Sequence, residues 1–222
     1  MSLAAAALFI VALVAAIVVF LWLESSHTRA WTSLAQSTGL TYAAQETGLG
    51  PFGTFNACRV GEGHLRCHDL RGHVGQVEVS LAVLEHREEV RDERRTWRHT
   101  ACLIDSPRLA LTPFCARPLR ALDQLGKLLG GKDVGFPDDA DFSSAYVLTG
   151  SDEPAVRARF DPASRRWFTA RPGERLIAEG SGRSLLVVAP RALSPREARA
   201  LLDAALELAG RWSTSPDEGS TP

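Results

Sequence analysis

The stretch Gln76-Val77-Glu78-Val79-Ser80-Leu81-Ala82-Val83 alternates strictly between polar and apolar side chains. Successive side chains of a β-strand point to opposite faces, so this pattern predicts a strand with one face against a core. The segments Leu65–Leu70, Thr96–Ile104 and Leu109–Thr112 predict three neighbouring strands, the first joined to Gln76–Val83 by a tight turn at Arg71-Gly72. Sequential strands with short connections are typical of an antiparallel meander.

Helical signals dominate the second half of the chain. Pro118 opens a predicted helix over Leu119–Leu129, and shorter helices are expected over 154–160 and 162–168. Ser194 and Glu197 form a capping box. One apolar stripe follows this box at helical spacing: Ala198, Leu201, Leu202, Ala205, Leu208, Ala209 and Trp212. These patterns predict an α+β fold, with one soluble domain over 41–212 in which helices flank an antiparallel sheet, and a disordered tail over 213–222.

An uninterrupted apolar run extends from Leu3 to Leu23 and contains no charge, proline or glycine. A helix of this length reaches roughly 30 Å, the thickness of a bilayer's hydrocarbon core. A cleaved signal peptide is the main alternative, but the run lacks a basic start and a small-residue cleavage site. The pattern therefore predicts a transmembrane anchor over 1–23, which contacts the lipid bilayer through residues 3–23. A juxtamembrane helix is expected over 24–40.

The flanks of this run suggest where the domain lies. Arg29 follows the run, whereas only the α-amine precedes it, so the positive-inside rule favours a single-pass protein of the inner (cytoplasmic) membrane with a cytoplasmic domain. This bias is thin and leaves the orientation open. The four cysteines are too few for a disulfide framework, although two bridges remain an alternative.

Composition excludes some classes of function. The 25 basic and 26 acidic side chains give a net charge of −1, which argues against a nucleic-acid partner. Arginine almost replaces lysine, a bias typical of GC-rich bacterial genomes.

The charged segment 85–95 is expected to form a solvated turn or short helix. Gly48–Gly53 matches G-x-G-x-x-G, but a strand is expected after it rather than a helix, so we interpret it as a turn and expect no cofactor.

Metal-capable side chains are concentrated in the Cys58–His73 region: Cys58, His64, Cys67, His68 and His73. The two cysteines are too far apart for a zinc-binding pair. Strand alternation places His64 and His68 on one face and Cys67 on the other. We therefore favour a small buried cysteine beside partly exposed histidines; a metal site, or Cys–His catalysis by the same residues, is the alternative.

A run of arginines is the one candidate site with an electrostatic basis: Arg157, Arg159, Arg165, Arg166, Arg171 and Arg175. Cationic side chains beside an anionic leaflet each contribute on the order of 1 kcal/mol to membrane binding. The run therefore predicts a lipid-surface patch, with an ordinary solvated face as the alternative.

The chain is similar to a group of uncharacterised bacterial single-span membrane proteins. The matching stretches are Trp31–Ala35, Gly39–Tyr42, Phe142–Val147 and Gly150–Glu153, together with the hairpin that leads into the Ser194–Trp212 helix. The resemblance implies the same layout and no activity. We therefore favour a membrane-anchored, non-catalytic module that binds an unknown partner protein or the membrane surface. The alternative is a membrane-tethered hydrolase-like enzyme, or a metal-binding domain, that uses the Cys58–His73 region.

Overall fold

One antiparallel sheet of eight strands organises the chain. The computed structural model describes residues 3–59, 61–90, 93–119, 133–171 and 173–213. The strands are β1 Thr41–Thr47, β2 Glu62–Val74, β3 Val77–Val90, β4 Glu93–Asp105, β5 Leu111–Pro118, β6 Tyr146–Gly150, β7 Ile177–Gly182 and β8 Ser184–Ala189. Their order across the sheet is β1-β2-β3-β4-β8-β7-β5-β6. The helices are α1 Leu3–Thr38, α2 Ala140–Ala145, α3 Glu153–Arg159, α4 Pro162–Thr169 and α5 Pro195–Trp212. The predicted α+β class is confirmed.

The hairpin of β3 and β4 lies in the middle of the sheet and contains the alternating stretch. Val79, Leu81 and Val83 face the larger core, as predicted. The strands are longer than predicted, because Glu85–Glu88 pairs with Arg95–Arg98 across the hairpin. The expected turn or short helix over 85–95 is therefore wrong. Opposite charges directly across an antiparallel pair attract, which stabilises this extension.

Each face of the sheet has its own apolar cluster. The larger cluster lies beneath the helices and includes Trp31 of α1 together with Phe142, Phe160 and Trp212. The smaller cluster lies on the opposite face, beneath two 3-10 turns over Gly50–Thr54 and Asn56–Cys58, which contribute Phe52, Phe55 and Cys58. We call these two turns and the residue between them, 50–58, the cover segment.

Helix α5 confirms the capping box and the apolar stripe. The Ser194 side chain accepts from the Glu197 backbone, and the Glu197 side chain accepts in return from the Ser194 backbone. All seven stripe residues are buried. The indole Nε1 of Trp212 donates to Ser164 Oγ at 2.9 Å, which joins α5 to α4.

The predicted transmembrane anchor over 1–23 is wrong: among the residues that the structure describes, no helix is long and apolar enough to cross a bilayer. The run is not a separate element, because α1 continues to Thr38 and packs Trp31, Leu34 and Ala35 into the larger core. The single-pass inner-membrane localisation that rested on this anchor is wrong for the same reason.

Other boundaries differ from the predictions. The β2–β3 turn lies at Gly75-Gln76, where Gly75 has φ 64°, and not at Arg71-Gly72. The residues from Thr54 to Cys58 form 3-10 turns, not the start of a strand. Most of the predicted helix Leu119–Leu129 and of the tail 213–222 lies outside the described residues; Ser213 itself pairs with Leu109.

Candidate functional site

The predicted arginine patch is divided by the fold. Arg165 is only 5% exposed, and its Nε donates to Asp139 Oδ2 at 2.7 Å while its Nη2 donates to Asp138 Oδ2 at 2.8 Å. The hydrogen bond from Arg165 is the main reason that the pKa of Asp139 lies below its usual value. The same carboxylate caps α2 by accepting from Phe142 N. Arg165 therefore holds α4 to α2 and does not belong to a solvated surface.

Three further arginines of the run bind carbonyl groups of the domain. Arg159 Nη1 donates to Trp212 O at 2.8 Å, and Arg157 Nη1 donates to Gly135 O at 2.6 Å. Arg171 Nη1 donates to Trp167 O at 2.9 Å. Each of these side chains also contacts a second group: Ala110 O for Arg159, Glu153 for Arg157, and Glu207 for Arg171. These contacts connect neighbouring segments of the domain.

The two remaining arginines, Arg166 and Arg175, lie beside one open cavity of about 610 Å³. Both residues are exposed. Arg166 comes from α4, whereas Arg175 precedes β7 and has an uncommon left-handed backbone, with φ 48°. We call this space the arginine cavity. Its described lining is Pro118, Leu119, Asp141, Ser144, Ala145, Tyr146, Arg166, Phe168, Thr169, Ala170 and Arg175.

The arginine cavity combines positive charge with an aromatic wall. Phe168 and Tyr146 are buried, and their rings meet edge to face with centroids 5.2 Å apart. Burial raises the pKa of Tyr146 to about 12, so its hydroxyl stays protonated at neutral pH and can donate a hydrogen bond. Asp141 is the one acidic residue in the described lining. The arrangement suits a ligand with an anionic group and an apolar part.

Arg117 is a further arginine of this region that no pattern in the sequence indicates. This half-buried residue of β5 lines a second cavity, of about 360 Å³, and Arg175 lines both cavities. Arg117 lies far from the arginine run in sequence but next to Pro118, which lines the arginine cavity. Only the pairing of β5 with β6 and β7 brings these parts of the chain together, so no local motif signals the arrangement.

The cysteines of the described structure are free thiols in unreactive surroundings. Burial raises the pKa of Cys58 to about 12 and that of Cys115 to about 11, and it also raises the pKa of Cys67 and of the fully buried Cys102. A thiol must lose its proton to act as a nucleophile or a metal ligand, so these environments disfavour Cys–His catalysis. Within the described ranges, no three His, Cys, Asp or Glu side chains are placed to hold a metal ion.

The prediction that His64 and His68 share a face is wrong. The β2–β3 register shifts between Cys67 and Leu70, and His68 has φ 50°, so a β-bulge reverses the alternation. His68 consequently faces α1, where its ring stacks on Trp31. His64 instead lies near His86 on the opposite face, with ring centroids 6.1 Å apart. Gly48–Gly53 leads into the cover segment, without the helix that a dinucleotide site requires.

Comparisons with known proteins add little. No family model matches the chain, and no curated protein matches it. One solved structure is similar, the crystal structure of the mycobacterial trehalose monomycolate transport factor A, TtfA. The alignment covers 82% of this chain and 90% of that chain, with a TM-score of 0.48 and 16% sequence identity.

Proposed function

We propose that the protein is a non-catalytic binding module that holds the anionic headgroup of a lipid in the arginine cavity. The observation that carries the proposal is the position of Arg166 and Arg175 beside an open cavity whose wall contains Tyr146 and Phe168. Guanidinium groups bind phosphate through charge-assisted hydrogen bonds. The aromatic wall offers apolar contact to the part of the lipid next to its headgroup.

A phosphate-bearing headgroup fits the balance of charge in this region. Arg166, Arg175 and the nearby Arg117 outnumber Asp141 and Glu174, the acidic residues beside them. The protonated hydroxyl of Tyr146 is a further donor. The described lining contains no histidine or cysteine, and the hydroxyl of Ser144 donates to the backbone carbonyl of Asp141, so binding is a simpler use of the cavity than catalysis.

Isothermal titration of the full chain with short-chain phospholipids, below their micelle concentration, tests the proposal. We expect an acidic phospholipid to bind and a zwitterionic phosphatidylcholine of equal chain length to bind about tenfold more weakly. Glycerol phosphate separates the contribution of the anion from that of the acyl chains. An acidic peptide tests the alternative that the cavity receives a partner protein.

The double variant Arg166→Glu/Arg175→Glu should lose at least about tenfold in affinity, because hydrogen bonds to charged groups contribute about 1.5–3 kcal/mol each. The matched control is Arg87→Glu/Arg196→Glu, which makes the same charge change at two exposed residues outside the described lining. An equal loss of affinity in both double variants would mean that overall charge, and not the arginine cavity, causes the binding. If the acidic peptide binds more strongly than the acidic lipid, the ligand of the cavity is a protein partner and the lipid proposal is wrong.

A further inference from the structure

Three histidines from three adjacent strands lie on the sheet face that carries the smaller apolar cluster. His64 belongs to β2, His86 to β3 and His99 to β4. His99 lies directly opposite Leu84 in the β3–β4 pair. His86 is two residues beyond Leu84 on the same face of β3, so it is the diagonal neighbour of His99. The ring centroids of His86 and His99 are 5.6 Å apart, and those of His64 and His86 are 6.1 Å apart. Sheet pairing thus assembles a cluster that has no signature of spacing along the sequence.

Two of these rings carry buried nitrogens that lack a hydrogen-bond partner within the described part of the chain: Nδ1 of His86 and Nε2 of His99. His86 is 6% exposed and His99 is 9% exposed. A buried polar atom without a partner costs about 1–3 kcal/mol. Such atoms are rare in folded proteins, and a bound ligand is one reason for them.

Packing fixes the ring of His86 in this position. Gly61 has φ 76°, and a Cβ atom there would lie 2.5 Å from Cδ2 of His86. Only glycine therefore allows the chain before β2 to pass so close to the imidazole. A ring held in this way loses little conformational freedom when it binds a ligand.

The protonation state of the pair suits a metal ligand. Burial is the main cause that lowers the pKa of His99 to about 4, and nearby His86 and His64 lower it further. Burial also lowers the pKa of His86, against a smaller opposing effect of Glu88. Both rings are therefore neutral at pH 7, which is the form in which imidazole binds a metal.

We propose that His86 and His99 bind a transition-metal ion of the class that prefers imidazole, such as Zn²⁺, with His64 as a third ligand. As the side chains are placed, no three of the described residues form a metal site, and the geometry explains why. With Zn–N bonds of about 2.0–2.1 Å, the centroids of two imidazoles on one tetrahedral ion lie roughly 5 Å apart. His86 and His99 need only a small adjustment, whereas the half-buried His64 must rotate toward them.

Titration of the metal-free full chain with Zn²⁺ alone at pH 7.5, followed by calorimetry, tests the site. We expect one ion to bind per chain. His86→Gln and His99→Gln should each weaken binding by more than the roughly 10–100-fold that the loss of an outer-shell partner costs. His64→Gln should weaken it less. The control His73→Gln changes an exposed histidine of the same strand as His64 and should leave binding unchanged.

A measurement on the unmodified chain guards against variants that fail to fold. Substoichiometric Cu²⁺, a paramagnetic ion with high affinity for imidazole, should broaden the ring NMR signals of His86 and His99 before those of His73. Zinc affinity equal in His86→Gln, His99→Gln and the unmodified chain would overturn the proposal, as would broadening that begins at His73.

Discussion

The imidazole of His68 lies flat on the indole of Trp31, with ring centroids 4.8 Å apart and planes inclined by only 4°. Trp31 belongs to α1, and His68 belongs to the bulge of β2. Nδ1 of His68 lies 3.0 Å from the hydroxyl of Tyr42, and Trp31 Nε1 donates to His27 Nε2 at 3.1 Å. These aromatic contacts fasten the C-terminal half of α1 to the edge of the sheet.

This contact makes the stability of the domain sensitive to acid. Burial, with a smaller effect of His27, lowers the pKa of His68 to about 4 from its ordinary value of 6.5. Between these two values the unfolded chain binds a proton that the folded chain does not, so the free energy of unfolding falls as the pH drops from 6.5 to 4. Above pH 6.5 the ring is neutral in both states, and the stability is fully present.

Replacing His68 with asparagine should flatten this dependence. Asparagine tolerates the positive φ of residue 68 but does not titrate. His68→Asn should lower the free energy of unfolding at pH 7.5 by about 1 kcal/mol through lost aromatic contact. At pH 5 the proton that His68 binds in the unfolded chain offsets this loss, so the difference between the variant and the unmodified chain should vanish or change sign. Urea unfolding at both pH values measures the difference. His73→Asn, at an exposed site, is the control, and an equal loss for His68→Asn at both pH values would contradict the pKa argument.

Two neighbouring arginines of α4 should respond differently to truncation. Arg165→Ala removes a buried guanidinium that donates to Asp138, Asp139 and Phe160 O, and it should cost about 1–3 kcal/mol in the free energy of unfolding. Arg166→Ala removes an exposed side chain and should stay within about 0.5 kcal/mol of the unmodified chain. Thermal unfolding of the two variants gives the comparison, and melting temperatures that fall together would mean that Arg165 is not part of the packed structure.

These arginines also show how far the sequence can predict the site. The alternation of Gln76–Val83 and the capping box at Ser194 are local patterns, and both predicted their elements correctly. Trp167 and Phe168 indicate which face of the short helix is packed, but the sequence does not show that Asp138 and Asp139, which lie in another segment, bind the guanidinium of Arg165. The bulge at His68 is equally invisible, because a single left-handed residue reverses a strand's alternation without a glycine to mark it.

Helix α5 provides a test of core packing. Leu202 is 1% exposed, so Leu202→Asp places a carboxylate in the larger core and should lower the free energy of unfolding by more than about 3 kcal/mol. Glu207→Lys lies on the polar side and breaks ion pairs with Arg171 and Arg211. Exposed pairs contribute about 1 kcal/mol or less, so this variant should lose much less. Guanidinium unfolding distinguishes them, and similar midpoints would mean that α5 does not pack through Leu202.

The cover segment should open when Glu179 is truncated. One carboxylate oxygen accepts from Asn56 N at 3.1 Å and the other accepts from Ala57 N at 2.9 Å, which holds the segment over the smaller apolar cluster. Cys58 is the last residue of the segment and is fully buried, and burial together with the charge of Glu179 raises the pKa of this thiol. Glu179→Ala removes both the hydrogen bonds and the charge, so alkylation of Cys58, followed by peptide mass spectrometry, should become at least about tenfold faster.

Glu179→Gln keeps one acceptor and should give an intermediate rate, while Glu78→Ala, at an exposed site of β3, should match the unmodified chain. Unchanged alkylation in Glu179→Ala would mean that the apolar contacts of Phe52 and Phe55 alone hold the segment in place.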